Sequence, residues 1–99
     1  MNIRISPFAE KDLQESIGFY NEQKAGLGDE FAETLNRTFN RILENPNQFP
    51  FDYKNIKKAR MDRFPFIVFF VLENSTCYIV GIFHSSRNPA IMNYRTKVI

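Results

Sequence analysis

The sequence predicts an α+β fold in which a helical hairpin packs on one face of an antiparallel sheet, in the order β-α-α-β-β-β. Three observations carry this reading. Apolar residues recur at helical spacing twice in the first half, as Ala9, Leu13, Ile17 and Tyr20 and again as Phe31, Leu35, Phe39 and Ile42. The second half holds two runs rich in Val, Ile, Phe and Tyr, residues 66–73 and 76–84. Only Asn74-Ser75 joins those runs, so they pair as a hairpin.

Asn2 to Ile5 reads as a short strand. Ser6-Pro7 starts the first helix, a hydroxyl cap followed by a proline whose missing N–H costs nothing there. That helix runs to about Lys24 and is broken by Gly26-Leu27-Gly28. Asp29 and Glu30 open the second helix, where acids suit its positive end, and Asn45-Pro46 stops it. A loop rich in Pro, Asn and Phe follows. Residues 56–61 then read as a basic strand, and residues 62–65 as the turn that starts the hairpin. The tail from Ser85 to Ile99 reads as loop, with one turn of helix after Pro89.

The two hairpin strands are apolar on both faces. Phe66, Val68, Phe70 and Leu72 share one face, and Ile67, Phe69 and Val71 the other. In the second strand Tyr78, Val80 and Ile82 share a face opposite Cys77, Ile79 and Phe83, and Gly81 suggests a bulge. One helical hairpin covers one face only. The second face therefore needs a cover: the Phe49–Tyr53 loop, the C-terminal tail, or a second chain.

Ninety-nine residues make a single domain spanning 1–99, and 24% charged residues with 43% hydrophobic ones describe a globular chain. No stretch approaches the ~20 apolar residues of a membrane span, and one cysteine cannot form an internal disulfide. With no signal-like segment after Met1, the expected location is the cytoplasm. The net charge of +2 is unevenly spread: residues 1–50 carry five basic and eight acidic side chains, residues 51–99 eight basic and three acidic. That asymmetry suggests an acidic partner for the sheet half, whether nucleic acid, ribosome or protein.

The available chemistry is narrow. One His and one Cys do not build a zinc site, the helix acids (Glu10, Asp12, Glu15, Asp29, Glu30, Glu33) read as solvated surface, and no glycine loop follows a strand to cradle phosphate. No metal and no cofactor is expected. Cys77 reads as a small buried hydrophobe. What remains is a cationic set on the sheet half with His84 and Tyr94. Arg60, Arg63, His84, Arg87 and Tyr94 could cleave RNA without a metal, cations steadying the phosphorane while a base and an acid move protons. The same cations could instead simply bind phosphates or carboxylates. The candidate partner-binding residues are Lys57, Lys58, Arg60, Arg63, Phe69, Val71, Arg87 and Arg95.

Four segments, in this order, resemble the RelE/ParE superfamily of type II toxin–antitoxin toxins. They are Ser6-Pro7-Phe8-Ala9-Glu10-Lys11-Asp12-Leu13, Gly26-Leu27-Gly28-Asp29-Glu30-Phe31, Asn45-Pro46 with Phe49-Pro50, and Arg63-Phe64-Pro65-Phe66 with His84-Ser85-Ser86-Arg87-Asn88-Pro89. The resemblance implies a bacterial toxin, of the plasmid-stabilisation type, and a small acidic antitoxin that wraps it. Relatives of the RelE kind cleave mRNA on the ribosome; those of the ParE kind poison DNA gyrase. The long helical hairpin and the His84-to-Pro89 segment resemble the ParE side, so gyrase inhibition is the expected activity. Met92 departs from the aromatic residue that many relatives carry, and the persisting Lys57, Lys58, Arg60 and Arg63 keep mRNA cleavage as the alternative. A degenerate toxin that only binds antitoxin is the third possibility. Without its antitoxin, the chain could pair as a homodimer through its sheet.

Overall fold

The computed structural model describes residues 1–87 together with Arg95. Strand β1 (Asn2–Ile5) ends at Ser6, whose hydroxyl accepts the Ala9 N–H at 3.1 Å and caps α1 (Pro7–Gln23). Gly26, at φ +87°, reverses the chain in a left-handed conformation that a side chain would strain, and α2 (Leu27–Glu44) follows at once. The two helices meet closely at Gly28. Its N–H donates to Asn21 Oδ1 at 2.8 Å, and a Cβ there would collide with the Ile17 carbonyl and the Asn21 side chain.

After a single 3-10 turn (Pro46–Gln48) come β2 (Phe51–Tyr53), β3 (Ile56–Arg60), β4 (Phe66–Glu73) and β5 (Thr76–His84). Asn74 and Ser75 both adopt positive φ, 49° and 63°, as the two central residues of a tight hairpin turn that matches the twist of its strands. The sheet order is β1-β5-β4-β3-β2. Every neighbouring pair is antiparallel except β1 and β5, which run parallel from Asn2↔Thr76 to Ile5↔Ile79. The sheet is thus mixed and has five strands, one more than the sequence reading. β2 was hidden because its three residues are all exposed and too few to show alternation.

The helix side of the sheet holds the larger core. Phe31, Leu35 and Ile42 of α2 and Ala9 of α1 are at most 1% exposed against Val68, Phe70 and Ile79. Tyr20, Phe31, Phe64 and Phe66 add an aromatic knot with centroid separations of 4.9 to 6.0 Å. Ile56, Phe69, Val71, Val80 and Phe83 form a second cluster on the opposite face. The face assignment of β4 follows the predicted alternation, but that of β5 changes phase. Phe69 pairs with Gly81 and Phe70 with Ile79, so Val80 is an extra residue, a bulge. Beyond it Ile82 joins the helix-side core and Phe83 the second face, the reverse of a strict two-residue period.

The second face is buried within this one chain, each of its five residues being 5% exposed or less. The Phe49–Tyr53 segment is not the cover: Phe51 and Tyr53 are 61% and 47% exposed, and Phe49 packs with the helix-side core. Arg95, from the tail, lies over the Phe83 ring at 4.6 Å. Phe69 and Val71 therefore do not form an exposed apolar groove, and the sheet route to a homodimer is closed at these positions.

Candidate functional site

Both edges of the sheet are only half covered by their short outer strands, and the uncovered halves are where charged side chains gather. On the β5 edge, β1 pairs no further than Ile79, whose C=O takes the Ser6 N–H at 3.0 Å. Past that point the bulge turns backbone groups outward. Asp12, on α1, accepts the Ile82 N–H at 3.1 Å through Oδ2, and Arg95 donates to the Val80 C=O at 3.1 Å. The two side chains are joined by paired bonds of 2.6 and 3.1 Å, both 7% exposed, with the guanidinium between the rings of Phe8 and Phe83. Neither residue therefore belongs to an accessible binding surface. Asp12 is not solvated, as its place on a helix suggested, and Arg95 is a buried strut.

On the other edge, β2 reaches only Phe51↔Lys57 before Pro50 takes over. The Pro50 C=O accepts the Lys58 N–H at 3.1 Å, but proline has no N–H to return to the Lys58 C=O. Alternation along β3 sends the Lys58 C=O and the Arg60 N–H outward together. They open on a cavity of about 390 Å³ lined by Arg41, Phe49, Pro50, Lys58, Arg60 and Asp62 among others. Arg41, in the last turn of α2, reaches across and donates to the Arg60 C=O at 2.7 Å, with Asp62 at 3.7 Å and the Phe49 ring beneath it.

The remaining predicted residues are spread along this basic side and one end of the sheet. Lys57 is 7% exposed, its ammonium on the Phe49 C=O at 2.8 Å and over the Phe51 ring at 4.2 Å. Lys58 pairs with Asp52 at 3.4 Å. Arg63, at φ +70°, reaches back to Glu30 of α2 at 2.8 Å. The register brings Arg60, Arg63, His84 and Arg87 to the same end of the sheet, Arg60 opposite Ile67, Ile67 opposite Phe83, and Phe66 opposite His84. Arg60 and His84 are still two strands apart, on the order of 10 Å.

His84 is poorly placed to act as a base. Its Nδ1 accepts the Ser86 N–H at 3.1 Å and lies 2.8 Å from the Ser86 hydroxyl, so the ring lone pair is already engaged and Nε2 carries the hydrogen. Arg87 lies over Phe83 at 4.4 Å, and both line a small cleft of about 170 Å³ beside Glu15 and Ser16. Tyr94, the other proton-transfer candidate, lies outside the described residues, as do Met92 and the turn of helix read after Pro89. Cys77 is buried at 0% exposure, and burial pushes its thiol up. Among the described residues no three His, Cys, Asp or Glu side chains are grouped to hold a metal, and no helix is long and apolar enough to cross a membrane.

Sequence reasoning missed Asp12 and Arg41, the helix side chains that meet the sheet edges. A signal was present for Asp12. It lies three residues after Ala9 and one turn before Ser16, beside the apolar stripe rather than opposite it.

Comparison with solved structures finds the same fold in a chain of the chromosomal ParDE toxin–antitoxin system from P. aeruginosa. The TM-score is 0.76 at 16% identity, over 85% of this chain and 95% of that one. No curated protein sequence matches significantly. The family model for the ParE toxin of the parDE type II toxin–antitoxin system matches residues 3–89, nearly the whole chain and all four segments singled out in the sequence. This chain belongs to the ParE toxin family of type II toxin–antitoxin systems.

Proposed function

We propose that this toxin works by binding rather than by cutting, that it inhibits DNA gyrase in the bacterial cytoplasm, and that a small acidic antitoxin neutralises it. The carrying observation is how its cations are used. Lys57, Lys58, Arg63 and Arg95 each already serve an intrachain partner, and the lone pair of the His84 ring is taken by Ser86. A metal-free nuclease needs an available base beside a converging seat for one phosphate. A binding surface needs only charge and shape, which the basic side offers. Family membership supports the antitoxin as partner.

The test is direct. Purified chain should block supercoiling by purified gyrase while leaving mRNA intact in a translating extract, and adding the proposed acidic antitoxin should restore supercoiling. Codon-specific mRNA cuts that vanish in Arg87→Ala would contradict this and favour the second reading, cleavage on the ribosome. The gathering of Arg60, Arg63, His84 and Arg87 at one sheet end is what favours that alternative. Inactivity in both assays would leave a chain that binds antitoxin and nothing else.

A further inference from the structure

We infer that the open half of the β3 edge is the seat of a short, extended, acidic segment of the antitoxin, added beside Lys58–Arg60 and held there by Arg41, Lys58 and Arg60. This rests on the antitoxin reading above and names where that partner is gripped. The backbone supplies one half of the argument. The Lys58 C=O and the Arg60 N–H face outward, β2 stops short of them, and Pro50 cannot donate to the carbonyl. An acceptor and a donor spaced along a strand edge are met by the N–H and C=O of an extended chain.

The side chains supply the other half. Arg41, Lys58 and Arg60 rim the 390 Å³ cavity against Asp62, which at 79% exposure and 3.7 Å holds Arg41 only loosely, and Asp52, which pairs with Lys58 at 3.4 Å, so the rim keeps one excess positive charge. Phe49 and Pro50 form its apolar wall. The Nε atoms of Arg41 and Arg95 are alike buried without a partner, but the Arg41 side chain is 39% exposed, so its outer nitrogens stay within reach of an incoming group. An incoming carboxylate could replace Asp62 as its counter-ion. Charge complementarity therefore selects an acidic segment, and the slot is short, bounded by Pro50 on one side and by the turn at Asp62 on the other. By contrast, the matching half of the β5 edge is already filled by Asp12 and Arg95.

The probe is an acetylated decapeptide of alternating Glu and Val, titrated into the full 15N-labelled chain, with the Lys-Val counterpart and inorganic phosphate as controls. The expected result is saturable shifts at the Lys58 and Arg60 amides with none at Ile82, from the Glu peptide alone. Lys58→Glu with Arg60→Glu should weaken it about a hundredfold or more, the scale of two lost charge-assisted hydrogen bonds. An N-methylated peptide lacking alternate N–H groups should lose about tenfold in one of its two registers. Equal shifts from phosphate, indifference to N-methylation in both registers, or shifts centred on Ile82 would each overturn the inference. Because Arg41→Gln could loosen the fold, the test relies on the two strand residues, with a melting curve to show that the double variant is folded. If the proposed antitoxin still neutralises that variant fully, the seat is wrong while the toxin–antitoxin reading stands.

Discussion

The two edges of the sheet solve the same problem differently. Each is half covered by a short strand, β1 or β2, and on each a helix sends one charged side chain to the uncovered backbone. On the β5 edge that side chain is Asp12, locked by paired bonds to Arg95 and 7% exposed. On the β3 edge it is Arg41, 39% exposed, with one bond to the Arg60 C=O and a cavity beside it. An exposed strand edge is a template for another chain, and proteins usually block it. Here one edge is closed from within and the other is left to charge alone, which repels further basic copies of this chain but not an acidic partner.

Mutations at the two edges should have unequal costs. Asp12→Ala should cost most, about 3–5 kcal/mol, because it strands a buried guanidinium and frees the Ile82 N–H; a urea midpoint close to wild type would refute the claim that this edge is locked. Gly28→Ala should follow at about 1–3 kcal/mol, since the added methyl forces apart the helices that deliver Asp12 and Arg41 to their edges. Arg41→Ala should cost only about 1 kcal/mol, one half-exposed hydrogen bond. If it matched Asp12→Ala, the two edges would not differ as described. Glu30→Ala, which removes the exposed partner of Arg63, should cost less than about 1 kcal/mol in thermal melts. Finally, iodoacetamide should label Cys77 only as the chain unfolds, because its thiol is buried and held protonated.

Much of the fold was legible because local signals and burial agree. The Ser6-Pro7 cap, the stripe from Phe31 to Ile42 and the Asn74-Ser75 turn each encode their element within a few residues. What was not legible depends on distant pairing. β2 exists because β3 offers it partners, and β1 runs parallel because its mate lies 74 residues on, at Thr76. The bulge at Val80 was signalled by Gly81, yet its effect on the phase of Ile82 and Phe83 was not. The same limit applied to the site. The cations were identifiable by type, but whether one is free or committed depends on a partner such as Asp12, 83 positions from Arg95.

Amide hydrogen exchange at Ile82 and Arg60 separates the two edges, measured in the free chain and again after addition of the proposed acidic antitoxin. Ile82, bound to Asp12, should be protected in both, whereas Arg60 should exchange quickly in the free chain and slowly in the complex. Protection of Arg60 in the free chain, or protection gained at Ile82 on binding while Arg60 stays fast, would contradict the account.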